Sequence, residues 1–388
     1  MAGASALSFS SMWGSRSVPL KLALNGTSNM RRTPVLTVLG IAGLVLLFAC
    51  RKDTEPFDTA AGGSGPTPYY PQFPIWVDTT VGPIHAAPEN PSTVEGIALG
   101  RRLFHDVLLS DDYSQSCATC HVQANGFSDP RAFSIGTNGA AGHRNAMAII
   151  NPGWDERFFW DGRRNSLERQ AHDPVVNPIE MRNTWPVVVS RLQGHPEYPA
   201  LFKAAFGDEN VDSNRVVNAI AQFERTLISF NSRFDRFQYM GDSTALNEQE
   251  ARGLDVFMRE GHCVDCHREP LLSDHGLRNN GLEWPAVDSG FGALTGNPSH
   301  IGSFKVPTLR NIAETPPYMH DSRFATLEEV VNFYAHDVQV NSPNLDGHMD
   351  PWRFGNVNLT PENEADLVAF LHALSDVDFL TNTAFGPP

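Results

Sequence analysis

Two five-residue strings constrain this chain more than any other feature: Cys117-Ala-Thr-Cys120-His121 and Cys263-Val-Asp-Cys266-His267. Two thiols at this spacing reach the two vinyl groups of one porphyrin, and the histidine that follows faces its iron as proximal ligand. C-x-x-C-H is therefore the attachment signature of c-type haem. Four thiolates from two such strings also suit structural zinc, and a C-x-x-C pair suits redox exchange. The histidine directly after each pair, together with the export signal described next, favours two covalently bound haems c. The chain has five cysteines. With four given to haem and Cys50 closing an apolar leader, none is left for a disulfide scaffold.

The leader is residues 34–49, PVLTVLGIAGLVLLFA, behind Arg31 and Arg32. Basic residues before a short apolar run form a secretory signal, and the run is too short to span a bilayer comfortably. Its end, Leu47-Phe48-Ala49-Cys50, resembles a bacterial lipoprotein cleavage box. Met30 places the arginines at the start of such a leader. The expectation is a lipoprotein-type signal peptide over 1–49, with a lipid on Cys50 holding an exported bacterial protein in the periplasm or at the outer membrane. Residues 50–91 are rich in Gly, Ser and Pro and read as a flexible tether.

Of 388 residues, 41% are hydrophobic, enough to build cores, and the net charge of -15 excludes a nucleic-acid partner. Helix signals dominate. Ser92-x-x-Glu95 reads as a capping box. Asp212 or Ser213 caps a stripe of Val216, Val217, Ile220, Phe223 and Leu227. Asn247-x-x-Glu250, Thr326-x-x-Glu329 and Thr360-Pro361 open three further helices. Period-2 strands are scarce, so the fold class reads as all-α with long loops. Ala98-x-Gly100-x-x-Leu103-Phe104 and Ala251-x-Gly253-x-x-Val256-Phe257 precede the two haem strings as a faint repeat. Two cytochrome c-like haem domains follow from it, over 92–242 and 243–388. For the sixth iron ligands the residues alone leave His143, Met319, Tyr334, His336 and Met349 open. Tyr334 shares a helix stripe with Leu327, Val330 and Val331, so its ring points inward.

The strings Phe159-Trp160-Asp161-Gly162-Arg163, Asn177-Pro178-Ile179-Glu180-Met181, Val306-Pro307-Thr308-Leu309-Arg310-Asn311 and Pro317-Tyr318-Met319-His320-Asp321 resemble the bacterial di-haem cytochrome c peroxidase family, including its MauG branch. The resemblance runs over roughly residues 92–385. It implies that the haem on Cys117, Cys120 and His121 reacts with peroxide and that the haem on Cys263, Cys266 and His267 transfers electrons. It further implies a distal acid at Glu180, distal-pocket positions at Gln170 and Pro174, and Trp160 between the haems. Asn145, Thr315 and Pro317 match an inter-haem calcium site of oxygen donors. Tyr334 stands where ordinary peroxidases carry an axial methionine, as in the MauG branch; an anionic tyrosinate lowers the potential. The removable histidine ligand of many ordinary peroxidases falls near Thr137, so the first haem is expected to be five-coordinate.

The resemblance thus implies a peroxidase that reduces hydrogen peroxide to water with electrons from an exported donor such as a small cytochrome c. The alternatives are a MauG-like oxidase of protein residues using a high-valent di-haem state, and a di-haem electron carrier that is no enzyme. A homodimer is compatible with each.

Overall fold

The computed structural model describes residues 65–388. The leader, Cys50 and the first part of the expected tether lie outside the described residues. Residues 65–91 differ from the expectation of a tether, because they pack. Thr67 N donates to Glu95 Oε2 at 2.7 Å and Tyr69 N to Ser92 O at 2.9 Å. The helix Ile75–Thr80 buries Val77, and Trp76 stacks on Tyr239 with ring centroids 4.1 Å apart. Phe73, Trp76 and Val77 supply an apolar side to a Pro-rich stretch, and burying them outweighs the entropy of a free chain. No helix among the described residues is long and apolar enough to cross a membrane.

The architecture is helix-rich. Among the described residues its sheet is one two-residue antiparallel ladder, Leu277–Arg278 against Phe304–Lys305. The capping signals work much as written. Asp212 accepts from Arg215 N at 2.9 Å, and Asn247 with Glu250, like Thr326 with Glu329, forms a reciprocal box. Helix Pro361–His372 begins on its proline behind Thr360. One cap is displaced: Thr93, rather than Ser92, accepts from Gly96 N at 3.0 Å and starts helix Val94–Phe104.

The faint repeat is a duplicated helix pair. Val94–Phe104 packs on Ser213–Glu224, and Glu248–Met258 packs on Pro361–His372. The repeated glycines set both crossings. A Cβ on Gly100 would lie 1.9 Å from Ala219 O, and one on Gly253 would lie 1.9 Å from Asp366 O. Phe223 and Phe370 flank the two contacts. Any side chain there forces the backbones apart. Gly253→Ala is therefore expected to cost about 3 kcal/mol, the upper part of the usual overpacking range. The check is the thermal midpoint of the haem-loaded protein, and a midpoint within about 1 °C of the parent's would contradict the close crossing.

Each pair heads a core, one around Leu99, Phe104 and Phe223 and one around Phe257, Phe370 and Leu371. The C-terminal tail crosses to the first core, where it buries Phe379 and Phe385, and Arg101 Nε donates to Gly386 O at 2.7 Å. Arg310, 1% exposed, holds Asp235 through two bonds of 2.8 and 2.9 Å. That buried pair accounts for the arginine of the Leu309-Arg310-Asn311 string without assigning it chemistry.

A second stretch also repeats, each residue 160 positions from its counterpart. Asn151 and Asn311 (φ 54° and 56°), Phe159 and Met319 (66° and 70°) and Gly162 and Ser322 (66° and 60°) share left-handed backbone. Phe158 N donates to Arg164 O, and Tyr318 N to Phe324 O, both at 2.8 Å. Helices capped by Ser166 and Thr326 follow. This register aligns Trp160 with His320, Gln170 with Val330, and Pro174 with Tyr334.

Candidate active site

Each lobe encloses a cavity, and the two cavities share a wall. The first is lined by Cys117, Cys120, His121, Gln170, Pro174 and Glu180. The second is lined by Cys263, Cys266, His267, Tyr334, Thr315 and Pro317. Trp160, Asn145, Asp155, Lys305 and His320 line both.

The histidines are prepared as ligands. His121 Nδ1 lies 2.7 Å from Phe127 O, and His267 Nδ1 lies 3.1 Å from Leu272 O. Phe127 and Leu272 are both left-handed, at φ 57° and 53°, which turns their carbonyls toward the rings. A ring nitrogen donating to a carbonyl fixes the tautomer and leaves Nε2 with its lone pair for a metal. Burial lowers both imidazoles below their ordinary range, so they stay neutral. The four cysteines are free, outside any disulfide. Paired thiols beside a neutral, tautomer-fixed imidazole in an enclosed cavity fit a covalently held haem in both lobes.

The other expected groups divide between the cavities. Glu180 reaches the first from the turn after helix Leu167–Val176, with Oε1 accepting from Asn177 Nδ2 at 2.6 Å. Burial raises its carboxyl above the usual range, with Arg163 and Asn177 pulling it part of the way back. Gln170 and Pro174 stand on that helix and line the same cavity. Thr137 is tied to this region by its N donating to Glu180 O at 3.0 Å. His143 is exposed and also lines the first cavity.

Tyr334 lines the second cavity from a π-helical turn, Phe333–Asp337, that follows helix Leu327–Asn332. The stripe reading brings Tyr334 inward but does not anticipate the π-turn, a wide turn common at functional sites. Its hydroxyl accepts from Asn280 Nδ2 at 2.9 Å. Burial pushes the phenol up to about 12, with Asn280 lowering it and Cys266 and Cys263 raising it. Met319 and Met349 line this cavity as well, whereas His336 turns outward to Glu364 at 2.9 Å.

Trp160 bridges the shared wall. Its Nε1 donates to Asn145 O at 2.9 Å, and its carbonyl accepts from Lys305 N at 2.7 Å. Asn145 N in turn donates to His320 O at 2.8 Å. Asn145, Thr315 and Pro317 come together along the second cavity, and the buried Asn145 Nδ2 has no hydrogen-bond partner. Sequence reading missed the charged part of this wall. Asp155 Oδ2 accepts from Lys305 Nζ at 2.6 Å, and His275 Nδ1 lies 2.6 Å from Asp155 Oδ1 without the alignment of a hydrogen bond. Burial works to raise the Asp155 carboxyl, but Lys305 and His275 outweigh it and hold it below the usual range. Asp155 and Lys305 are 150 residues apart, and no local spacing signals the pair.

Glu180 and Gln170 line the first cavity and not the second, an asymmetry that a simple electron carrier does not need. An acid–base group beside one of two haem cavities suits peroxide chemistry, and the site fits an oxidoreductase of the di-haem c-type peroxidase class. The chain belongs to the di-haem cytochrome c peroxidase family, whose model matches residues 94–244. It is 34% identical over 325 residues to the cytochrome-c peroxidase IdrP1 of Denitromonas iodatirespirans, covering 76% of this chain and 85% of that one. It is 36% identical over 289 residues to the methylamine utilization protein MauG of Methylorubrum extorquens, covering 74% and 79%. A solved MauG-like protein associated with microbial copper homeostasis superposes with a TM-score of 0.72 at 34% identity, over 79% of this chain and 96% of that one.

Proposed function

We propose that this protein reduces hydrogen peroxide to water at its N-terminal haem, with electrons from an exported donor such as a small cytochrome c. The observation that carries this reading is the difference between aligned positions. Pro174 stands where the second lobe has Tyr334, and Gln170 where it has Val330. A proline side chain has no donor atom, so the first lobe leaves open the place that the second fills with a phenol. When bound there, haem iron supplies the site for peroxide and the electrons that reduce it.

The chain's own residues do the rest. Glu180 takes the proton from the bound peroxide and returns it to the departing oxygen, so that water rather than hydroxide leaves. The Gln170 amide donates a hydrogen bond that orients the substrate. Trp160, in the wall of both cavities, relays electrons between them. Asn145, Thr315 and Pro317, which line the second cavity together with Trp160, offer amide, hydroxyl and carbonyl oxygens to a calcium ion. Removing calcium from the loaded protein with a chelator is expected to slow electron exchange between the haems, and adding calcium back to restore it. An exchange rate unchanged by the chelator would contradict the calcium assignment.

The leader supports an exported protein, lipidated on Cys50. Tyr334 favours a second reading, an oxidase of protein residues like the MauG branch. One experiment separates the two. Haem-loaded protein mixed with hydrogen peroxide and a reduced small cytochrome c is expected to oxidise two cytochromes per peroxide, catalytically. The second reading predicts an oxidised protein that persists and leaves the cytochrome unconsumed.

A further inference from the structure

Reduction of peroxide needs two electrons and two protons for two waters. Glu180 passes on a proton that the substrate itself brings, so it supplies neither of the net protons. A further carboxyl, with no hydrogen-bond partner, stands in the same cavity. Glu224 ends the helix Ser213–Glu224, lines the first cavity, is 3% exposed, and has a buried Oε2 with no hydrogen-bond partner.

The duplicated helix pair shows what packing alone requires at this place. The crossings at Gly100 against Ala219 and Gly253 against Asp366 bring Phe223 onto Phe370. The next residues are Glu224 and Leu371, and Leu371 lines the second cavity buried among apolar neighbours. A leucine fills that position in one lobe. In the other a carboxyl replaces it, giving up apolar burial and losing its water without a protein partner.

We propose that Glu224 is the proton-holding residue of the N-terminal haem cavity, taking up a proton when that haem is reduced and releasing it when the haem is oxidised. One electron enters from the donor and one proton enters from solvent onto the carboxylate, so the charge of the cavity is unchanged. On oxidation by peroxide the electron goes to the substrate, and the proton goes to an oxygen that leaves as water. The role in turnover rests on the peroxidase reading; the coupling of proton to electron does not.

The surroundings suit a group that titrates near neutrality. Burial pushes Glu224 up to about 8, with Arg225 opposing and Glu168 adding to it. Arg225 is committed to Glu168 and makes no hydrogen bond to Glu224. Cys117, which lines the same cavity, would give up its ionisable thiol to the haem bond. On or beside the other helices packed against this one, His105 turns to Phe385 O at 3.0 Å, Asp173 to Arg164 at 2.8 Å, Arg191 to Asp111 O at 2.7 Å and Lys203 to Glu209 at 3.2 Å. The other carboxyls lining the cavity are Glu180, bonded to Asn177, and four held by cations: Asp155 by Lys305, Asp288 by Arg144, and Glu283 and Asp321 by Arg323.

The test is the midpoint potential of the N-terminal haem in the loaded protein, without peroxide, from about pH 6 to about pH 10. In the parent the potential is expected to be level at the acid end. Above the point where Glu224 ionises in the oxidised form it falls with pH. The limiting slope is one tenfold change in the reduction constant per pH unit, about 59 mV. Glu224→Gln, and Glu224→Leu in imitation of Leu371, should both flatten the curve, while Glu180→Gln should keep it. A bend that survives in either Glu224 variant overturns the proposal. Should both variants fail to hold haem, the Glu180→Gln protein decides by its reduced-minus-oxidised infrared spectrum at alkaline pH. A gained protonated-carboxyl band supports the assignment, and no such band overturns it. Because peroxide is absent throughout, failure of the peroxidase reading leaves this result interpretable.

Discussion

Replacing Glu180 with glutamine is expected to slow the reaction with hydrogen peroxide by about 10²- to 10⁴-fold, the usual worth of a positioned general acid–base group. Glutamine keeps the shape and the contact with Asn177 but cannot accept a proton. Both haems should still attach, because Glu180 is remote from either C-x-x-C-H string in the chain and bonds only to Asn177 among side chains. The pH dependence has a definite sign. Burial raises the Glu180 carboxyl, and only its ionised form takes the proton from peroxide. The parent rate should therefore climb with pH through a range above that of an ordinary glutamate. The variant should lose that limb. Stopped-flow mixing with stoichiometric peroxide at several pH values checks both statements. A variant reacting at the parent rate would remove Glu180 from the chemistry.

The second large effect belongs to Tyr334. Tyr334→Met should raise the potential of the C-terminal haem by about 0.1 V or more, within the span of about 0.8 V that axial ligands command. With Tyr334 as the proposed ligand, the variant would exchange an anionic oxygen for a neutral thioether, which no longer favours the ferric iron. The buried phenol must give up its proton to become that anion. Asn280, already donating to its oxygen at 2.9 Å, favours the charged form. Met319 and Met349 line the same cavity, so the variant also tests whether one of them is the ligand. An unchanged potential in Tyr334→Met would move the assignment away from the tyrosine.

The fate of individual residues shows what sequence can carry. The haem strings are local, and each places thiols and imidazole on one cavity wall without help from the rest of the fold. Caps at Asp212, Asn247, Thr326 and Thr360 are equally local, since side chain and backbone donor lie within three residues. Thr93 displaced Ser92 because either hydroxyl can cap, and only the packing of Thr93 on Gln222 decides between them. The repeat is visible as two glycines, but its meaning is not: a glycine seen in sequence does not name the carbonyl it must approach. Residues 65–91 misled because Gly and Pro suggest looseness, whereas Trp76 and Val77 hold the segment down. Asp155, Lys305 and His275 meet only in three dimensions. Pro174 and Tyr334 are aligned by backbone geometry, since helix Leu167–Val176 and the π-turn after Leu327–Asn332 share little sequence.

The central claim is that the two lobes hold haems of unlike coordination, the first with an open side and the second capped. Electron paramagnetic resonance of the oxidised, fully loaded protein before and after one equivalent of hydrogen peroxide reads this directly. One high-spin and one low-spin ferric signal at rest are predicted, both changing when peroxide is added. Two low-spin signals that ignore peroxide would contradict the account and leave a di-haem electron carrier in its place.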